Sequence, residues 1–107
     1  MSDIAIYLKT VQIGPNSVDQ AKKDIDGLED GDYEYIYIQN THASNTLYVS
    51  MDGGQHWTTL TPTKYYLILE SPWEHPIRIK KEDWKVNSSG TATTYEVVLL
   101  RAMPVEG

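Results

Sequence analysis

The densest chemistry in the chain lies in Asp24-Ile25-Asp26-Gly27-Leu28-Glu29-Asp30-Gly31-Asp32, where carboxylates crowd as they do around a hard cation such as calcium. The EF-hand loop needs acids at alternate positions, Gly sixth and Glu twelfth. Counted from Asp24, the sixth residue is Glu29 and the twelfth Tyr35; counted from Asp26, the third is Leu28. Both registers fail, which leaves a looser carboxylate site or a solvated acidic face. His42, His56 and His75 all fall in predicted turns. No two of them have the spacing of a ligand pair on one element, so surface histidines are expected rather than a metal centre.

Other chemistries find little support. Hydrolysis by paired carboxylates would have to draw on Glu70, Glu74, Glu82 and Asp83, which the sequence cannot bring together across a cleft. The chain has no cysteine, which removes thiolate nucleophiles, thiolate metal sites and disulfides. It shows neither Ser-His-Asp wording nor a Gly-rich phosphate loop. The expectation is a protein with no catalytic residues and no cofactor.

Ser50-Met51-Asp52-Gly53-Gly54-Gln55-His56-Trp57 fits the Asp-box pattern Ser-x-Asp-x-Gly-x-x-Trp. In sialidases and other propeller proteins this motif is structural. It occurs once here, and 107 residues are too few for a multi-bladed propeller. The local mechanism still applies: the Asp carboxylate accepts backbone N–H groups, Gly supplies unusual dihedrals and Trp covers the hairpin. Asp52, Gly53, Gly54 and Trp57 are therefore read as a turn staple.

The elements around these residues read as strands. Residues 3–13 alternate, with apolar parity shifting from Ile4, Ile6 and Leu8 to Val11 and Ile13, and Gly14-Pro15-Asn16 should stop the strand. Residues 17–32 carry Val18, Ala21, Ile25 and Leu28 at helical spacing, and Ser17 with Gln20 resembles a capping box; a short helix or an acidic loop fits. Tyr33, Tyr35 and Tyr37 share one parity and Ile36 and Ile38 the other. Leu47, Val49 and Met51 point one way, and residues 57–61 return after the turn. Residues 65–70 are apolar on both parities, which predicts a central strand covered on both faces. Ile77 and Ile79 open a further strand, and residues 93–101 make the last one, before a loose tail after Met103-Pro104. The sum is a single domain over 1–107. It is an all-β antiparallel sandwich, jelly-roll or Ig-like, of about seven or eight short strands. Residues 1–32 form its N-terminal strand and acidic segment and 33–101 its core.

Charge and aromatic content narrow the partners. The net charge of −6 argues against general nucleic-acid affinity. Met1-Ser2-Asp3 lacks a basic leader region, and no apolar run approaches membrane-span length. Residues 1–54 hold nine acids and three bases, whereas 55–107 hold six of each. Acids concentrate at 19–34 and bases at Arg78, Lys80, Lys81 and Lys85, either as two solvated faces or as complementary contacts between copies. The chain has eight Tyr and three Trp but no Phe. Side chains with an apolar body and a polar tip suit interfaces as well as core packing.

From Ile36 to Leu60, Ile-Tyr-Ile-Gln-Asn-Thr-His-Ala-Ser-Asn-Thr-Leu-Tyr-Val-Ser-Met-Asp-Gly-Gly-Gln-His-Trp-Thr-Thr-Leu resembles small β-sandwich structural proteins of tailed bacteriophages. The order continues with Thr61-Pro62-Thr63, Tyr66-Leu67-Ile68-Leu69, Ile77-Arg78-Ile79-Lys80, Ser89-Gly90-Thr91 and Tyr95-Glu96-Val97-Val98-Leu99, so it covers about residues 33–101. The acidic segment 17–32 departs from it. The resemblance implies a non-enzymatic virion protein made in the host cytoplasm, with no cofactor. It would be present in many copies, as a capsid decoration or accessory protein bound to the major capsid protein, or in the neck or tail. On that reading Trp73, Trp84, Arg78, Lys80 and Lys81 form one contact surface and Asp24, Asp26, Asp30 and Asp32 the other, with residues 1–13 as an arm that adds a strand to a neighbour. The rival expectation is a carbohydrate-binding module or receptor-binding tip that stacks sugars on exposed Trp and Tyr.

Overall fold

The computed structural model describes residues 5–70 and 76–105. Among these residues there are ten strands and no helix: β1 (Ala5–Val18), β2 (Lys23–Asp24), β3 (Gly31–Tyr33), β4 (Tyr35–Asn40), β5 (Leu47–Ser50), β6 (Thr58–Leu60), β7 (Tyr66–Glu70), β8 (Ile77–Ile79), β9 (Lys85–Ser88) and β10 (Thr93–Val105). One four-stranded sheet has the order β1-β10-β4-β7, a second the order β2-β9-β5-β6, and β3 pairs with β8. Every pairing is antiparallel.

Alternation decides which side chains face inward. In β4, Ile36, Ile38 and Asn40 are buried while Tyr35, Tyr37 and Gln39 lie on the opposite face. Tyr95, Val97 and Leu99 of β10 follow the same rule. They share one buried cluster with Leu47 and Val49 of β5, Leu60 of β6 and Val86 of β9, so both four-stranded sheets feed the same core. Each such aliphatic side chain contributes about 1.5–3 kcal/mol relative to an exposed one. Buried Asn40 ties the sheets together, donating from Nδ2 to the Asn45 carbonyl at 2.8 Å and the Leu60 carbonyl at 2.9 Å.

Several expectations are corrected. Residues 17–32 form no helix. β1 runs on to Val18, and Val18, Ile25 and Leu28 reach the core from strand end and turns, while Ala21 is exposed. The helical spacing was a coincidence of three anchors along an extended path that wraps the core edge. The β1 irregularity falls between Ile13 and Asn16, at Gly14-Pro15, and the strand continues past it. The N-terminal strand is no free arm, because β10 pairs with it from Ala5 to Val18. The ladder extends beyond the β4 pairing, which ends at Leu100↔Tyr35, and the molecule measures 56 × 25 × 21 Å. β10 likewise continues to Val105, through the residues expected to be loose.

The largest correction concerns β7. Its apolar run suggested a central strand, but it is the sheet's edge strand, and Tyr66 and Ile68 are 44% and 42% exposed. Leu67 and Leu69 alone turn inward, packing against the core from its margin. Met51 is 39% exposed, because the chain leaves β5 at Ser50 and turns before the next inward position.

Candidate functional site

The Asp-box turn closes on itself. Ser50 Oγ donates to Asp52 Oδ1 at 2.7 Å and accepts the Gly54 N–H at 2.8 Å. Asp52 Oδ1 accepts the N–H groups of Gln55 and His56 at 3.0 and 2.9 Å, and Oδ2 sits 2.6 Å from His56 Nδ1. These bonds, led by the His56 N–H and then Ser50, hold the Asp52 carboxyl well below its ordinary pKa. Gly53 and Gly54 take φ of +76° and +100°. The Gly53 N–H reaches the Asp83 carbonyl at 2.8 Å, docking the hairpin onto the 81–83 turn. Asp52, Gly53 and Gly54 of the turn read as a staple thus take part in a specific set of bonds, whereas Trp57 makes none of them.

The predicted charge surfaces meet each other within the one chain, at exposed positions. Arg78 Nε donates to Asp32 Oδ1 at 3.0 Å across the β3–β8 ladder, where the two residues are register partners. Lys85 is bonded to Asp24 across β2–β9, again as register partners. Asp30 accepts the Lys81 N–H at 2.8 Å, and Lys23 pairs with Asp26 at 3.4 Å. The hydrogen bonds from Lys85 and Arg78 lower the pKa of Asp24 and Asp32 respectively. Three of the four predicted acids therefore meet the basic segment of their own chain. Lys80 is exposed, with its carbonyl accepting the Asp83 N–H. Among the described residues no group of three or more His, Cys, Asp or Glu is placed to hold a metal ion. His42 serves as a turn cap, its Nδ1 accepting the Ser44 and Asn45 N–H groups at 3.1 and 2.9 Å.

Trp84 is corrected from surface anchor to core residue: it is 4% exposed and belongs to the buried cluster. It immediately precedes β9 on the same parity as buried Val86, and both lie in the core. Trp73, Glu74 and His75 lie outside the described residues. Tyr33 also turns inward, its hydroxyl donating to the Glu29 carbonyl at 3.0 Å and Arg101 lying 5.8 Å over its ring.

What remains open is the outer face of the β1-β10-β4-β7 sheet. Register partners share a face, so Tyr66, Ile68 and Glu70 of β7 line up with Gln39, Tyr37 and Tyr35 of β4, and these with Glu96, Val98 and Leu100 of β10. The Tyr37 and Tyr66 rings stack at 5.9 Å, and Tyr65 meets Tyr66 edge-on at 5.1 Å. Burial, then the neighbouring phenols of Tyr65, Tyr35 and Tyr66, push the Tyr37 pKa up. The result is a continuous aromatic and aliphatic surface with two carboxylates at its margins, ending on an exposed edge strand. Sequence reasoning flagged Tyr35 and Tyr37 but assigned Tyr66 and Ile68 to the interior. The available signal was their shared parity with Lys64 and Glu70, which marks that face as solvent-exposed.

On the other sheet, Tyr48, Trp57, Thr59 and Asn87 line a shallow depression of about 290 Å³. No protein-family model, no curated protein and no solved structure matches the chain.

Proposed function

We propose that this chain is a non-enzymatic structural protein of a tailed-phage virion, a capsid decoration or accessory protein that binds the particle in many copies. In this reading the two four-stranded sheets are the layers of one sandwich, and adhesion is its activity. The observation that carries the reading is the open face bearing Tyr35, Tyr37, Tyr66, Ile68, Val98 and Leu100. Tyr66 and Ile68 are exposed and the other four are half-buried; apolar area with polar tips suits a protein interface, and exposed apolar patches mark interaction sites. The phage assignment itself rests on the resemblance across residues 33–101. The charged residues contribute less than expected to a partner, since Asp24, Asp30 and Asp32 already have partners in their own chain.

The test is quantitative mass spectrometry of purified particles from the source, scored against the major capsid protein. A comparable copy number supports decoration, a small fraction moves the chain to the neck or tail, and absence from particles ends the virion reading. A Tyr37→Ser/Tyr66→Ser double variant should fold and fail to attach.

A second reading, a carbohydrate-binding module or receptor-binding tip, is favoured by the depression where Trp57 and Tyr48 accompany the amide of Asn87 and the hydroxyl of Thr59. An aromatic platform beside hydrogen-bonding groups suits a sugar ring. A glycan array separates the two: binding lost in Trp57→Ala supports the sugar module, and a blank array removes it.

A further inference from the structure

The backbone of β7 has a sidedness that the hydrogen bonds reveal. Asn40 N–H donates to the Tyr65 carbonyl at 2.6 Å, which makes Gln39↔Tyr66 a non-hydrogen-bonded pair of the β4–β7 ladder. By alternation, Leu67 and Leu69 direct their main-chain groups toward β4. Tyr66, Ile68 and Glu70 direct theirs outward, where no strand pairs with β7 among the described residues. Natural edges are usually blunted by an inward charge, a Pro or a bulge within the strand. Tyr66–Glu70 contains none of these before its final residue.

We propose that β7 is a homodimerisation edge, two copies pairing antiparallel about Leu67 to join their sheets into one of eight strands. The sequence Lys64-Tyr65-Tyr66-Leu67-Ile68-Leu69-Glu70 is self-complementary about that centre. Tyr66 falls opposite Ile68 of the second copy, and Lys64 opposite Glu70 of the second copy, with both relations repeated by the two-fold axis. The hydrogen-bonding phase agrees: Tyr66 and Ile68 carry the outward groups, so the two Tyr66–Ile68 pairs supply about four ladder bonds. On the outer face each pair sets an aromatic ring against a β-branched side chain, a favourable cross-strand combination. The charges select the register. Pairing about Ile68 instead would bring Tyr66 opposite Glu70 and leave Lys64 without a counter-charge. The dimer would present a doubled tyrosine-rich face on one continuous sheet. It does not depend on the virion reading, although it fits a protein that works in several copies.

Sedimentation of the full chain over a concentration series tests this in free solution, apart from any particle. A reversible equilibrium between one and two chain masses is expected. Ile68→Lys should leave only monomer. Glu70→Lys, which sets Lys64 against a like charge at two symmetric positions, should weaken association about tenfold at low salt. Lys64→Glu should do the same, and the Lys64→Glu/Glu70→Lys double exchange should restore wild-type association. These two side chains are exposed, so the exchange keeps the test valid even if Ile68→Lys disturbs folding. A chain that stays monomeric at high concentration overturns the proposal, as does a dimer indifferent to Ile68→Lys. Failure of the double exchange to rescue overturns the Leu67-centred register.

Discussion

At the β5–β6 turn, Ser50 and Asp52 take up the N–H groups of Gly54, Gln55 and His56 within eight residues of chain. At β7, the outward main-chain groups of Tyr66, Ile68 and Glu70 meet no paired strand among the described residues, and their side chains are exposed. The turn spends its polar groups on itself, and what it gains is a rigid hairpin. The edge keeps backbone and apolar surface exposed, which is what the proposed adhesion would use. The recognisable motif and the proposed interaction surface are therefore different parts of this molecule. The motif is recognisable because its bonds are local, and the surface has no motif because its residues come from three strands.

Variants can break or sharpen this contrast. The largest effect should come from Trp84→Ala, which empties a core position next to Asp83, the residue whose carbonyl holds the Gly53 N–H. A loss of about 3–5 kcal/mol in urea unfolding is expected. A loss below 1 kcal/mol, with the fold retained, would show that Trp84 is a surface anchor after all. Gly54→Ala comes next. Its φ of +100° disfavours any Cβ, and the added carbon would lie 2.8 Å from Lys22 Cδ, although that flexible side chain can move. About 1–2 kcal/mol should be lost.

The Asp52 staple adds a pH signature. Its folded-state pKa is lowered, so the unfolded chain binds the proton more readily. Its contribution is complete above the ordinary value of 3.8 and is lost as pH falls below it. Asp52→Asn should reduce stability at neutral pH and flatten the acid limb of the unfolding profile. A wild-type acid limb in that variant would assign acid sensitivity to Asp24 and Asp32, which are lowered in the same sense.

The smallest stability effect belongs to the edge. Tyr66→Ser should change unfolding free energy by no more than about 0.5 kcal/mol, as exposed substitutions usually do. A loss of several kcal/mol would place Tyr66 in a packed interior and erase the contrast with the turn. Alkaline titration gives a finer reading. Burial raises the phenol pKa of Tyr33, Tyr37 and Tyr95, so these three should ionise above the ordinary value near 10. Because their folded values are raised, stability should be full below the ordinary value near 10 and decline as pH rises through the folded values.

All-β composition, the Asp52-Gly53-Gly54 hairpin and the aliphatic core face of Ile36 and Ile38 were legible in the sequence, as was the shared parity of Leu47 and Val49. Each depends on a period of two or on bonds spanning a few residues, and both are written along the chain. The remainder was decided in three dimensions. Whether Tyr66-Leu67-Ile68-Leu69 lies at the centre or the edge of a sheet depends on strand order, and an apolar run is compatible with both. Val18, Ile25 and Leu28 matched a helix in spacing, but long-range pairing of Lys23–Asp24 with β9 and of Gly31–Tyr33 with β8 outweighed a thin helical stripe. The acidic and basic segments looked like two surfaces because about 50 residues separate them in sequence. Cross-strand register brought Asp32 to Arg78 and Asp24 to Lys85, where ion pairing inside the chain leaves these residues less to offer a partner.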